Sequence, residues 1–406
     1  VTAAGASDVP EFPMSRAAGR PFDPPRESLA FNETAQMGRV RIWDGSTPWL
    51  ITGYEATRSL FADGRASVDD RKPGYPHWNE GMQSTVHRRP RSVFTSDAEE
   101  HTFYRRMLSR PFTYRRVEAL RAAVQNITDD HIDAILAGPQ PADLVSALAL
   151  PVPSLVISHL LGVPYEDADF FQEQSHKGMA RNASAEDAAK GAGALAKYLK
   201  ALLEKKMDDP AEDLVSDLAE RVKDEEISLK EAAQLATGVL IAGHETTAGQ
   251  ISVSIAALFD NPEQLAALRD TEDPKVVALA VEELLRYCSI IQTGQRRIAT
   301  EDIEVGGGVI TAGEGIILDV APANWDARQF PNPDRLKLDR DDGPHVAFGY
   351  GRHSCVGGQL ARMELQIVLP TLFRRIRTLQ PAVPVSELPF KHDALAYGLH
   401  ELPVIW

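Results

Sequence analysis

Phe348-Gly349-Tyr350-Gly351-Arg352-His353-Ser354-Cys355-Val356-Gly357 sets one cysteine among glycines, and a helix-like stretch from Gln359 to Ile376 follows it. A thiolate needs help to stay ionised. The backbone N–H groups of a tight glycine-rich turn and the positive end of the following helix supply that help. Glycines also let a backbone approach a flat ligand closely. A lone buried cysteine is more often an inert small hydrophobe. Taken alone, Cys355 stands evenly between the two readings. The order Phe-x-x-Gly-x-His-x-Cys-x-Gly is far more specific than a bare cysteine.

Outside this stretch, the 406-residue chain is long enough to bury a large core, and length alone suggests two or three domains. Hydrophobic residues make up 43% and charged residues 25%, as in ordinary globular proteins. The longest apolar run, Leu144 to Leu161, is broken by Pro151, Pro153, three serines and His159. The stretch from Val1 to Arg16 has no apolar centre. Transmembrane and secretory readings therefore both fail. The two cysteines, Cys288 and Cys355, do not make a disulfide framework. Cys288 lies just past an apolar helix pattern and reads as a core residue. A net charge of −15 argues against nucleic-acid or anionic-membrane binding. That charge is uneven: from His101 to Arg116 there are five arginines (105, 106, 110, 115 and 116) and no acid.

Residues 1–30, rich in Pro, Gly and Ala, read as an extended arm. Residues 39–52 read as two short strands around the Asp44-Gly45 turn. Residues 71–94 hold Pro73, Gly74, Pro76, Gly81 and Pro90 and read as a long loop, of a length that is uncommon unless functional. Helical patterns dominate from 99 to 290. Ser228-Leu229-Lys230-Glu231 is a capping box, and Asp260-Asn261-Pro262 is a stop signal. Between them lies a helix of about 32 residues, roughly 48 Å long. Its middle holds Gly243-His244-Glu245-Thr246-Thr247, polar residues where a core helix should be apolar. A second helix runs from about Pro274 to Tyr287. The segments 302–305 and 309–320 suggest a small antiparallel sheet. The fold class is mainly α with a minor antiparallel β region.

The cysteine stretch resembles the haem-binding loop of cytochrome P-450 monooxygenases, in which this cysteine is the axial iron ligand. Four further segments are similar to the same family, in the same order. Ala242-Gly243-His244-Glu245-Thr246-Thr247 resembles the oxygen-activation signature. The resemblance implies that Ala242 and Gly243 leave room beside the haem, that Glu245 belongs to a proton relay, and that Thr246 supplies the alcohol that holds the bound oxygen and its water. Glu283-Leu284-Leu285-Arg286 resembles the Glu-x-x-Arg helix, which implies a buried structural network with Arg340. His101, Arg105, Arg297 and His353 match positions that hold the haem propionates, a dianionic edge that needs charge-assisted donors; Phe348 and Gly357 complete the cofactor loop around Cys355. The segment from Asp143 to Pro164 resembles a stretch common in actinobacterial members and carries no chemistry. The chain departs from the family in three places. Asp97-Ala98-Glu99-Glu100-His101 stands for Asp-Pro-Pro-Glu-His, and Ala323-Asn324-Trp325-Asp326 for Ala-Asn-Arg-Asp, which puts one surface contact in doubt. Pro370 lies inside the last helix, where it should kink or interrupt it.

The resemblance implies a single monooxygenase domain over 1–406, with the long central helix over the haem and haem b as cofactor. It is closest to actinobacterial hydroxylases of steroids, macrolides and statins. It further implies O2, a bulky hydrophobic small-molecule substrate, and electrons from a separate ferredoxin and ferredoxin reductase, since no flavin or ferredoxin motif follows the cysteine stretch. Neither nucleic acid nor membrane enters; a cytoplasmic monomer of secondary metabolism is expected. Substrate contacts are expected from Tyr75 and Trp78 in the 71–94 segment, read as a lid, and from Leu240, Ile290, Ile291 and Tyr397. Two alternatives stay open on the same scaffold: nitric oxide reduction, disfavoured by Glu245 and Thr246, and a haem carrier or gas sensor, which would need no proton relay.

Overall fold

Asp44 closes the first turn with its own side chain: its Oδ1 accepts the Ser46 N–H at 2.9 Å, and Gly45 takes a φ of +81°. The chain therefore reverses, and Met37–Arg39 pairs antiparallel with Trp49–Ile51. The hairpin is the expected one, shifted two residues towards the N-terminus on its first strand. The computed structural model describes residues 9–17, 19–87, 90–164, 167, 170, 173–174, 185–392 and 394–406. It divides the chain into two units.

The first unit takes Val1–Tyr104, Glu272–Cys355 and Lys391–Tyr397. Its centre is a five-stranded sheet in which Gly315–Leu318 lies between Trp49–Ile51 and Gln295–Ala299. The sheet is mixed. Gly315–Leu318 runs parallel to Trp49–Ile51 and antiparallel to Gln295–Ala299, so the β region is not wholly antiparallel. The segment expected as one small sheet divides. Ile303–Val305 and Gly308–Ile310 make a separate hairpin, while Gly315–Leu318 joins the larger sheet. Ile51, Ile316 and Leu318 from that sheet pack with Tyr54, Leu60 and Phe330 into one apolar cluster. Of the arm expected over 1–30, residues 1–8 lie outside the described residues, and from Arg26 to Thr34 the chain is a helix, which Asn32 fixes by donating to the Pro322 carbonyl at 2.7 Å. The expected loop 71–94 is not structureless either. Asn79 caps a short helix, Glu80–Thr85, by accepting the Met82 N–H at 2.8 Å. The Trp43 indole N–H donates to the His77 carbonyl at 2.8 Å, and Tyr75 and His77 are buried.

The second unit takes Arg105–Thr271, Val356–Phe390 and Gly398–Trp406 and is helical. Leu229–Asp260 runs for 32 residues, as read from its signals. Ser228 accepts the Glu231 N–H at 3.2 Å and Glu231 Oε2 accepts the Ser228 N–H at 2.8 Å, which closes the capping box. Early in the helix only one face is buried; from Thr247 to Leu258 every residue is. A helix stretch buried all round belongs inside a large core. Ala185–Asp208 and Pro151–Leu161 pack against it. Gly358–Arg375 runs on through Pro370 without interruption. A proline inside a helix costs about 3 kcal/mol, and here Leu365, Leu369, Leu372 and Phe373, all buried, offset that loss.

Under the first unit's sheet lies Asp319, fully buried, with Ser28 donating to it at 2.9 Å. Burial pushes its carboxyl up to about 6 from an ordinary 3.8, against the pull of Ser28 and Arg16. A raised carboxyl contributes stability that is full below the unfolded value and is lost as pH rises through the folded one. Relative to Asp319→Asn, the wild type should therefore gain about 1.4 kcal/mol on going from pH 7 to pH 5. Urea midpoints of both proteins at the two pH values measure this. Parallel shifts in the two proteins would assign the effect elsewhere.

Candidate functional site

The cysteine loop is shaped by its glycines. Gly349 and Gly351 have φ of +68° and +70°, where L side chains are strained. A Cβ on Gly351 would also sit 3.1 Å from the Phe61 carbonyl oxygen and 3.2 Å from Ala62 Cα. The loop is closed by backbone bonds: Gly349 N–H to Val346 O at 2.9 Å, Ser354 N–H to Gly351 O at 3.1 Å, and Cys355 N–H to Phe348 O at 2.8 Å. Cys355 is thereby left exposed, three residues before the helix Gly358–Arg375 begins, with Gly357 at its N-cap. Phe348 is half-buried beside it. Cys288 is the opposite case. It is 1% exposed, and burial pushes its thiol up to about 12.

The structure brings Glu283, Arg286 and Arg340 together. Arg286 Nε and Nη2 donate to the two Glu283 oxygens at 2.7 and 2.9 Å, and Arg340 Nε lies 3.0 Å from Glu283 Oε2. All three are buried. Arg286 also donates to the Asn324 and Pro333 carbonyls, at 2.9 and 3.0 Å, and Asn324 Oδ1 accepts the Val346 N–H at 2.8 Å. One carboxylate thus braces the segment that leads into the cysteine loop. Removing one partner of a buried pair leaves an uncompensated charge. Glu283→Ala should accordingly cost about 3–5 kcal/mol. Thermal unfolding of the purified protein measures it, and a loss under about 1 kcal/mol would make the network a surface pair in energy terms. Beside this network Trp325 is not at the surface, as its position had implied. It is buried, stacks on Tyr287 at 5.3 Å, and donates its indole N–H to the Tyr287 carbonyl at 3.1 Å.

Of the four groups expected at a propionate, two meet directly. The His101 and His353 rings lie 4.1 Å apart between centroids. Helix Ala98–Ser109 carries both His101 and Arg105, the first buried and the second half-buried. It starts at Ala98 although the usual prolines are missing; Asp97, just before it, accepts the Val68 N–H at 3.0 Å and the Ser67 hydroxyl. Arg297 is 5% exposed. Among the described residues it makes no ion pair; Nη1 donates to the Arg296 carbonyl at 2.7 Å. Burial lowers its affinity for the proton, partly countered by Tyr75 and Asp97. Arg296, its buried neighbour, was not singled out in the sequence. Two adjacent arginines in a strand must point to opposite faces, and that was the available signal.

In the second unit, the central helix changes character at Ile241, which is 52% exposed, and at Ala242, also exposed. An added Cβ on Gly243 would meet Ile157 Cδ1 at 3.0 Å, so this glycine also lets Pro151–Leu161 pack close. His244 Nε2 lies 3.2 Å from the Leu150 carbonyl. Glu245 and Thr246 are half-buried, and the Thr246 hydroxyl donates to the Ala242 carbonyl at 2.5 Å.

The expected substrate contacts fare unevenly. Trp78, Ile290 and Ile291 are half-buried and Tyr75 is buried. Leu240 and Tyr397 have essentially no exposed area, so neither lines an open space here. Leu240 is on the packed face of its helix. Tyr397 lies under the Arg16 guanidinium, 4.2 Å from its ring centroid, with its N–H donated to the Ile290 carbonyl at 2.7 Å. The arginine cluster also needs correction. Arg110 and Arg116 reach Asp217 at 2.8 and 2.9 Å, and Arg110 lies 3.8 Å from Glu220. Acids distant in sequence thus pair with two of the five arginines between His101 and Arg116.

Among the described residues no helix is long and apolar enough to cross a membrane. A profile of the cytochrome P450 family matches residues 183–398. The chain is 66% identical over 402 residues to cytochrome P450 CYP105Q4 of Mycobacterium marinum, covering 99% of this chain and 97% of that one. It is 43% identical over 396 residues to pentalenic acid synthase of Streptomyces avermitilis, covering 97% of each. The crystal structure of GfsF superposes with a TM-score of 0.94 at 49% identity, covering 98% of this chain and all of that one. With a glycine-framed cysteine before its last long helix and a polar signature in the middle of its central one, the chain belongs to the cytochrome P450 family and is a haem-iron monooxygenase that hydroxylates small molecules with O2.

Proposed function

We propose that the enzyme hydroxylates a bulky, mostly apolar molecule (a polyketide, statin-like compound, steroid or xenobiotic), with haem b bound through Cys355 and electrons supplied by a ferredoxin and its reductase. The observation that carries this reading is the exposed Cys355 on its two left-handed glycines. The donor set suits haem b. A buried Arg297 that makes no ion pair among the described residues calls for an anionic partner, and a propionate is one. His101, His353 and Arg105 are the other propionate donors in this reading. When bound, the haem supplies the activation of dioxygen and the insertion of one oxygen atom into a C–H bond.

The remaining work falls to the chain. Ala242 and Gly243 keep side chains out of the space that oxygen needs. Glu245 brings protons, and the Thr246 hydroxyl oxygen accepts from the donor that carries them. Glu283, Arg286 and Arg340 are positioning residues that hold the loop. Tyr75, Trp78, Ile290 and Ile291 contact the substrate; their apolar character supports a hydrophobic molecule, and the relative named pentalenic acid synthase also points to one. The whole-chain matches support one catalytic domain, which in this reading works in the cytoplasm.

An acidic ferredoxin would meet the exposed Arg106 and Arg115, which pair with no acid among the described residues, rather than Arg110 or Arg116. Reduction by ferredoxin should then slow as ionic strength rises. Charge reversal at Arg115 should slow it further, and reversal at Arg110 should change it little. The same assay with a candidate substrate tests the activity: hydroxylated product must carry oxygen from O2. NAD(P)H use that never yields product from any apolar compound giving a haem spectral shift would count against the substrate class.

A further inference from the structure

Arg296 carries a charge that the fold does not answer. It sits in the strand Gln295–Ala299, in register with Ile317, on the face opposite Arg297. Its side chain is 3% exposed. Its guanidinium carbon lies 5.4 Å from the Phe12 ring centroid and 5.7 Å from that of Trp78. Among the described residues no carboxylate pairs with it, and its Nε and Nη1 have no hydrogen-bond acceptor. The Trp78 indole Nε1 is likewise buried without an acceptor. Two neighbouring side chains thus hold three buried donor atoms and no acceptor.

Burial brings the Arg296 pKa down to about 10, so the group remains a cation at neutral pH. A buried cation is tolerated when it is paired and hydrogen-bonded. The Phe12 and Trp78 rings offset only part of that need. Asp319 is the carboxylate whose field reaches Arg296, but it accepts from Ser28 at 2.9 Å and makes no ion pair with the arginine. The missing partner is therefore an acceptor with negative charge, flanked by aromatic rings.

We propose that Arg296 and Trp78 form a recognition site for a carboxylate, either borne by an apolar substrate or offered as a free small anion. The substrate arm rests on the reading of Trp78 as a substrate contact. In that arm the guanidinium and indole N–H groups fix the acid end of the molecule, and the rings of Phe12 and Trp78 take the apolar carbon next to it. Arg296 is then a specificity-determining residue, on the opposite face of the strand from the proposed propionate donor.

The holoenzyme is titrated with 2-naphthylacetate and with its neutral isostere 2-naphthylacetamide. The Trp78 indole 15N–1H resonance, assigned through Trp78→Phe, is followed, and the haem absorption band is read in parallel. The carboxylate should bind about tenfold tighter than the amide, as a charge-assisted bond implies. Arg296→Gln should abolish that preference, and Arg296→Lys, which keeps the charge without the fork, should restore part of it. Acetate and chloride separate the sources. If they move the Trp78 resonance at the concentrations that suffice for naphthylacetate, the site takes a free anion; if they do not, it takes a substrate carboxylate. Equal responses to carboxylate and amide in the wild type overturn the proposal without any variant. A haem-band shift in that same titration would leave the monooxygenase reading standing, so the two failures are distinguishable.

Discussion

Cys355→His abolishes the red-shifted Soret band of the dithionite-reduced CO complex, while Cys288→Ser leaves it intact. This is the largest effect expected of any single substitution. The two thiols differ in environment. Cys355 is exposed on a loop whose backbone bonds and positive-φ glycines fix its position. Cys288 is buried and its thiol is pushed up to about 12, so it stays protonated and cannot serve as an anionic ligand. Histidine can still bind iron, so haem content distinguishes a lost thiolate from a lost protein. The expected variant retains haem, loses the band and loses hydroxylation. An unchanged CO spectrum in Cys355→His would overturn the ligand assignment.

The elements with strong punctuation were legible in the sequence. Ser228 and Glu231 at one end and Asn261-Pro262 at the other define the central helix, and both ends depend on local chemistry. Pro274–Tyr287 is similarly bounded, by Asp273 and Pro274 at its start. Sheet membership was not legible, because it depends on partners far away. Gly315–Leu318 follows a hairpin closely in sequence yet pairs with Trp49–Ile51 and Gln295–Ala299. The short helix in the 71–94 segment hides behind glycine and proline, and only Asn79 announces it.

The site shows the same division. Cys355 and the Ala242–Thr247 signature announce themselves by spacing. The basic cluster misled because Asp217 and Glu220 lie a hundred residues on, and only the tertiary fold sets them against Arg110. Arg296 was overlooked because a sequence shows which residues are charged but not which charges are left without a partner.

Thr246→Ala should uncouple the enzyme: NAD(P)H is consumed at a similar rate, hydrogen peroxide rises and hydroxylated product falls. Thr246 donates its only hydroxyl proton to the Ala242 carbonyl at 2.5 Å. What it presents outward is therefore lone pairs, so in the proposed role it acts as a hydrogen-bond acceptor that holds a proton donor in place. Alanine removes that acceptor and frees the Ala242 carbonyl at the same position. Product per NAD(P)H should fall by about 10²-fold, the lower end of what a positioned proton-transfer group contributes. Serine keeps the oxygen and the bond to Ala242, so Thr246→Ser should recover most of the coupling. Valine keeps the shape without the oxygen and should behave as alanine does. Those two variants separate a chemical role from packing, because a helix residue of purely structural value would tolerate valine better than serine. Coupling in Thr246→Val equal to wild type would assign proton delivery to another group, with Glu245 next in line.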